Sequence, residues 1–232
     1  MADLRVMRSK ERFRTERDGI RTDHSFSFGD HYDPTNLGFG DLTAVNDERI
    51  APGCGYGMHR HRDAEIVTWV LDGALAHADS AGNAGTITRG GIQRMNAGDG
   101  VEHCERNAFG DADLRFIQMW LRSDREGAPV YQQARGADAR AEGAWVLAAS
   151  ADPGDGAAID IATDGARLWI ARPGAGEPLA VPPGDLRHLH LVRGAVVVDG
   201  EHRLEAGDVL RRNGSAEHTL VADSPSEILL WA

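Results

Sequence analysis

Six residues able to bind a metal fall in one glycine-punctuated stretch: His59 and His61, then Glu65, and about forty residues later His103, Glu105 and Asn107. A β-strand turns alternate side chains to opposite faces. Residues i and i+2 therefore point the same way, and a His-x-His pair and a His-x-Glu pair can each aim two donors at one point. Neutral imidazole and ionised carboxylate are ligands for divalent first-row metals. One such pair is ordinary on a solvated sheet; two within one segment predict a metal site written on strands.

The elements that must carry these donors read as short strands. Glu65 to Val70 and Leu114 to Leu121 are apolar or alternating and are bounded by Gly, Asp or Asn. Turn signals at Asp72-Gly73 and Ser80 to Asn83 lie about eight residues apart, the spacing of a sandwich or barrel. Further strands are expected over Ala144 to Ala149, Ala166 to Ala171, Leu186 to Val198, Asp208 to Arg211, His218 to Ala222 and Ile228 to Trp231, with little amphipathic helix. From Ser123 to Gly143 the pattern weakens, and a linker with a helical turn is expected. Asn96-Ala97-Gly98-Asp99 and Glu205-Ala206-Gly207-Asp208 each follow a hairpin, and Gly73 and Gly194 each close an apolar strand. This is a weak internal repeat. The expected domains are 1–125, a linker over 126–143, and 144–232.

Composition narrows the classes of function. The chain has 232 residues, 41% apolar and 26% charged, as in a globular protein able to bury real cores. Its net charge of −11 opposes direct binding to nucleic acid, where affinity rests on neutralised phosphates. No apolar run approaches the roughly 20 residues that span a bilayer. The first twenty residues are too charged for a signal-peptide core, so a cytoplasmic location is expected, with Cys54 and Cys104 unpaired.

Two longer stretches, PGCGYGMHRHRDAEIVTWVLDG and AGDGVEHCERN, resemble the two motifs of the cupin superfamily. Within it, DHSFSFGDHYDP, LTAVNDERIAPG, HRHRDAEIVTWVLDG, LAHADSAGN and HCERN resemble, in order, the signatures of the pirin family over residues 24–121. The resemblance implies an all-β bicupin of two antiparallel β-barrels. It also implies one divalent metal in the N-terminal barrel, Fe(II) first, with Mn, Ni, Cu, Co or Zn also accepted by such donors. Carried over residue by residue, the ligands fall on His59, His61, His103 and Glu105. Glu65 stays open, either as the fourth ligand that general cupins place there or as a residue orienting a histidine. The family usually has proline, methionine and serine where this chain has Arg60, Ala64 and Cys104.

The activity implied is a dioxygenase acting on flavonols such as quercetin with O2, Glu105, or Glu65 if it is unligated, serving as base and the aromatic substrate lined by residues such as Met58, Phe28, Trp120 or Met119. The alternative is a redox-sensing module that binds another protein without turnover. A monomer is expected. In the second half, His188 and His190 repeat the His-x-His spacing, but aligning Gly194 on Gly73 puts Ala180 and Pro182 at the ligand positions. His218 has no carboxylate two residues on, so the second barrel is expected to hold no metal. His24, His31 and His77 are expected to be hydrogen-bonded structural residues.

Overall fold

The structure is a computed structural model that describes residues 4–123, 125–136 and 141–232. Among the described residues there is no α-helix; short antiparallel strands make up nearly every element. Two compact units form. The N-terminal unit comprises Phe13–Gly136 with Ile159–Asp164, and the C-terminal unit comprises the described residues of Met1–Arg12, Ala137–Ala158 and Gly165–Ala232.

This division differs from the expected boundaries for local reasons. Leu4–Met7 pairs with Val209–Asn213, which takes the first residues into the C-terminal unit. Ile159–Asp164 joins the N-terminal unit, where the Ala162 amide donates to Glu65 and Thr163 Oγ1 donates to the Arg122 carbonyl. The expected linker over 126–143 is corrected as well: Val130–Ala134 is a strand along Ile92–Asn96 rather than a helical turn. Val130 and Tyr131 favour extended backbone, and the ladder satisfies the peptide groups of the Ile92–Asn96 edge. Positions 137–140 of that linker lie outside the described residues.

Each unit is built from a larger and a smaller sheet. In the N-terminal unit the larger runs Val130–Ala134, Ile92–Asn96, Ala64–Asp72, Leu114–Arg122, Leu42–Ile50, Ile20–His24, Phe13–Arg17, and the smaller runs Gly55–His61, Val101–Asn107, Ala74–Asp79, Ala84–Thr88. The C-terminal unit repeats the smaller sheet as Pro178–Ala180, Thr219–Ala222, Ala195–Val198, His202–Glu205. The expected strand over Leu186 to Val198 is two strands, split at Gly194 with φ of 81°; Gly73, with φ of 76°, makes the matching turn in the first unit.

Strand alternation layers the N-terminal interior. Ile50, Val70, Leu75, Ile87, Leu114 and Phe116 form one apolar cluster, and Ile66, Met95, Ala97 and Val101 form another. Each fully buried large side chain contributes roughly 1.5–3 kcal/mol, so these clusters hold the barrel. Between them, on the same strand faces, sit Thr68, Gln93, Gln118, Glu48 and Glu105, all buried. This polar belt is where the candidate donors meet.

Candidate metal centre

His59 and His61 lie on the edge strand Gly55–His61, and His103 lies directly opposite His59 on Val101–Asn107. The ring centroids are 4.7 Å apart for His59 and His61, 4.4 Å for His59 and His103, and 4.9 Å for His61 and His103. One ring nitrogen from each falls within 4.8 Å of the other two. Gly55 makes the approach of the two strands possible. A Cβ there would stand 2.5 Å from the Glu105 carbonyl oxygen and 2.6 Å from the Arg106 Cα.

The imidazoles are prepared as lone-pair donors. His59 Nδ1 lies 2.8 Å from the Gly57 carbonyl oxygen, which can only accept, so Nδ1 carries the proton and Nε2 presents a lone pair. His103 is 1% exposed, and neither of its ring nitrogens has a hydrogen-bond partner. Burial, reinforced by His59, pushes the pKa of His61 down to about 4. Burial and the neighbouring histidines push that of His103 down to about 3. Buried nitrogens without donors are costly unless a cation satisfies them. The donor set therefore fits a divalent metal.

Glu105 comes from the same strand as His103, past a register shift that sets it opposite Tyr56. It is 2% exposed, its Oε1 accepts from Gln93 Nε2 at 2.8 Å, and its Oε2 accepts from Gln118 Nε2 at 2.7 Å. Burial pushes its pKa up to about 7 against the pull of those two bonds. Its carboxylate falls within 4.8 Å of donor atoms on His103 and His77, not within the three-histidine group. Glu65 lies elsewhere: its carboxylate receives Arg94 Nη1 at 3.2 Å to each oxygen, Asn96 Nδ2 at 2.9 Å and the Ala162 amide at 2.7 Å. Its described bonds include no histidine. Asn107 spends its amide on the carbonyls of Ile50 and Ala112.

Aromatic rings line the side of the centre next to His61. Trp120 meets His61 edge-on at 4.9 Å, and Phe28 meets Trp120 at 5.3 Å. A cavity of about 430 Å³ opens between Phe28, His24, Thr22, Glu48, Tyr56 and Gly57, within the roughly 300–1,000 Å³ of small-molecule pockets. Of the other expected lining residues, Met58 projects to solvent and Met119 is packed in the core. Cys54 and Cys104 are free thiols. His24 is buried against Asn46 and Thr15, and His31 meets Thr15, as structural residues do.

Sequence reasoning missed Gln93 and Gln118; His77, expected as a hydrogen-bonded structural residue, is bonded to Asp79. The glutamines carry no spacing signal, since strand pairing alone brings them to Glu105. His77-x-Asp79 did carry one, the same i, i+2 parity used for the ligands. In the second half, His188 and His190 are buried on Leu186–Arg193, Arg12 Nη1 lies 3.2 Å from His190 Nε2, and neither histidine joins a metal-capable group among the described residues. His218 is paired with Asp199.

Comparison with known proteins finds relatives over nearly the whole chain. A Mycobacterium tuberculosis relative named "Putative quercetin 2,3-dioxygenase" is 40% identical over 231 residues, covering 99% of this chain and 95% of its own. The Pirin-like protein of Caulobacter vibrioides is 36% identical over 213 residues, 91% of each. The crystal structure of bacterial pirin YhhW from Escherichia coli in complex with nickel(II) superposes with a TM-score of 0.90 at 30% identity, over 99% of this chain and 98% of that one, so the two share the bicupin fold. The family model described as Pirin matches residues 6–121. With its strand order, its histidine-lined barrel and these relatives in agreement, the chain belongs to the pirin family.

Proposed function

We propose that the protein is a metal-dependent dioxygenase that uses O2 to open the heterocycle of a flavonol such as quercetin, with release of carbon monoxide. The observation that carries this reading is the meeting of His59, His61 and His103, with Trp120 against His61 and, against Trp120, Phe28 of the neighbouring cavity. The names of the relatives and the nickel in the Escherichia coli pirin support it. A divalent ion held by the three histidines and Glu105 would acidify a coordinated flavonol hydroxyl and bring it beside O2. Fe(II) is our first assignment; Mn, Ni, Cu, Co and Zn suit the same donors.

The chain's own residues supply the rest. Phe28 and Trp120 offer ring faces and edges against which a flat aromatic molecule packs beside His61. Glu105, both of whose oxygens accept from amide donors, is the carboxylate placed to take the hydroxyl proton. Gln93 and Gln118 fix its orientation. Among the described residues no helix is long and apolar enough to cross a membrane. We place the protein in the cytoplasm.

The experiment is anaerobic purification, metal analysis, and reloading in turn with Fe, Mn, Ni, Cu and Co, while quercetin absorbance and oxygen uptake are followed. Turnover with at least one metal, lost in His59→Ala and kept in His188→Ala, is expected. Absence of turnover with every reloaded metal sinks the reading.

A further inference from the structure

Among the described residues no ladder joins Phe13–Arg17, the last strand of the larger N-terminal sheet, to Gly55–His61, the last strand of the smaller one. The cavity of about 430 Å³ lies in that seam, with Thr15 on one edge strand and Gly55, Tyr56 and Gly57 on the other. A Cβ at Gly57 would meet nothing within 4 Å, so the strand that continues to His59 leaves this space free.

Inside the seam one acceptor is not used by the fold. Glu48 lines the cavity and is 3% exposed. Its Oε2 accepts from Thr22 Oγ1 at 2.6 Å and from Tyr56 OH at 2.9 Å, so both bonds converge on one oxygen. Oε1 receives neither, and it is not among the polar atoms sealed away without a partner, so it opens on the cavity. A carboxylate oxygen can only accept, and here its position is fixed by the two donors on its twin. A largely desolvated acceptor is costly until a donor reaches it, and a ligand hydroxyl is such a donor.

The surrounding groups narrow the ligand. Arg17 is paired with Asp18 at 3.3 Å, and the exposed Asp30 stands at the same cavity, so three lining carboxylates face a single guanidinium. That balance repels anions and favours a neutral donor. Phe28, stacked on His24 and edge-on to Trp120, supplies ring surface beside it. Tyr56 links the cavity to the metal centre, since its hydroxyl donates to Glu48 and its ring meets that of His59 at 6.2 Å.

We infer that Glu48 is a specificity-determining residue whose Oε1 accepts a neutral phenolic hydroxyl carried on the part of an aromatic ligand remote from the metal. The inference rests on the flavonol reading of the site and names the hydroxyl pattern that the site selects.

The test compares kaempferol with galangin. The two share the ring system, hydroxyl and carbonyl that a metal would take, and they differ by one hydroxyl on the pendant ring. Their dissociation constants are measured by isothermal titration into nickel-loaded wild type and Glu48→Gln under nitrogen. The pH is 7.5, above the value of about 7 to which burial raises Glu48. Glutamine can still accept from Thr22 and Tyr56 but turns an amide donor toward the cavity. Wild type is expected to bind kaempferol about tenfold more tightly than galangin, and Glu48→Gln to bring that ratio to about one while changing galangin affinity less than about threefold. A role in packing alone would weaken both flavonols equally. Equal affinities in wild type, a ratio that survives Glu48→Gln, an equal loss of both ligands, or no binding of either overturns the inference. Kaempferide, the methyl ether of the pendant hydroxyl, tests the same bond without a variant should Glu48→Gln fail to fold. It cannot donate and is expected to bind wild type no more tightly than galangin; affinity equal to that of kaempferol overturns the inference. Oxygen-dependent turnover is measured separately, so failure of the dioxygenase reading leaves the binding ratio readable and is told apart from failure of this one.

Discussion

Glutamine in place of Glu48 should remove one of the two buried carboxyl contributions, those of Glu48 and Glu105, that make the stability of the metal-free protein fall as pH rises. Glu48 is 3% exposed, and its Oε2 accepts from Thr22 Oγ1 at 2.6 Å and from Tyr56 OH at 2.9 Å. Burial is the largest influence and pushes its pKa up to about 7; the two hydrogen bonds oppose this, and Glu105 and Asp47 add to it. In the unfolded chain the same group titrates near 4.5. Between those values the folded protein holds a proton that the unfolded chain has released, so stability falls as pH rises. The contribution is fully present below about pH 4.5 and lost as pH climbs through about 7, and the gap corresponds to roughly 3 kcal/mol. Glu105 adds a parallel slope of its own when no metal is bound, since it too sits near 7. A glutamine oxygen can still accept from Thr22 and Tyr56 but never ionises. Urea unfolding of chelator-treated protein from pH 5 to pH 8 should therefore show variant and wild type close at pH 5 and the variant more stable at pH 8. In melting temperature the difference is roughly 6–12 °C for a chain of this size. Identical slopes for variant and wild type would refute the reasoning, because burial of Glu48 would then not govern its protonation.

Three further outcomes follow from the same geometry. Gln118→Leu frees one oxygen of Glu105 from its donor and should weaken Ni(II) affinity roughly 10–100-fold by isothermal titration, with unchanged affinity counting against a role for Gln118 in holding the ligand. Asp47→Ala strips the buried Arg115 of two bonds, at 2.9 and 2.6 Å, and should cost about 3–5 kcal/mol in urea unfolding; a loss under about 1 kcal/mol would mean the pair is screened by solvent. Phe28→Ala removes one ring from the cavity wall and should raise the KM for flavonol about 3–10-fold with little change in kcat, the aromatic contact being worth about 0.5–1.5 kcal/mol; a fall in kcat at constant KM would place the substrate elsewhere.

What the sequence made legible was periodic. His59 with His61, and His103 with Glu105, follow from the two-residue repeat of a strand, and that repeat is local. Glu65 shows where the argument stops. Its odd number matches His59 and His61, but it lies on another strand, whose even-numbered Ile66 and Val70 face the core clusters. Parity therefore turns Glu65 to the opposite face, where Arg94 and Asn96 receive it. Leu42–Ile50 was missed because Asn46-Asp47-Glu48 reads as a loop. Each of these is buried and satisfied by a partner distant in sequence, namely His24, Arg115, and Thr22 with Tyr56. His77 meets Glu105 likewise only through strand pairing.

Strand pairing also shows how the two units of the repeat differ at matching positions. In the N-terminal unit Thr68 faces Gln93 on one side and Gln118 on the other, and Glu105 faces His77. At the matching points of the C-terminal unit Leu189 faces Leu210 and Leu230, and Leu220 faces Val198. All five of these residues belong to one buried apolar cluster. Thr68, Gln93, Gln118, Glu105 and His77 are thus matched by leucine or valine at the same place in the same strand order, while Glu48 is matched by Ala171. The exchange divides labour between the units. A polar belt contributes little stability and must have each group satisfied, which Glu105, Gln93 and Gln118 do for one another. The leucine belt of the second unit needs no partners and buries its full apolar area, while His218 meets Asp199 and joins no metal-capable group among the described residues.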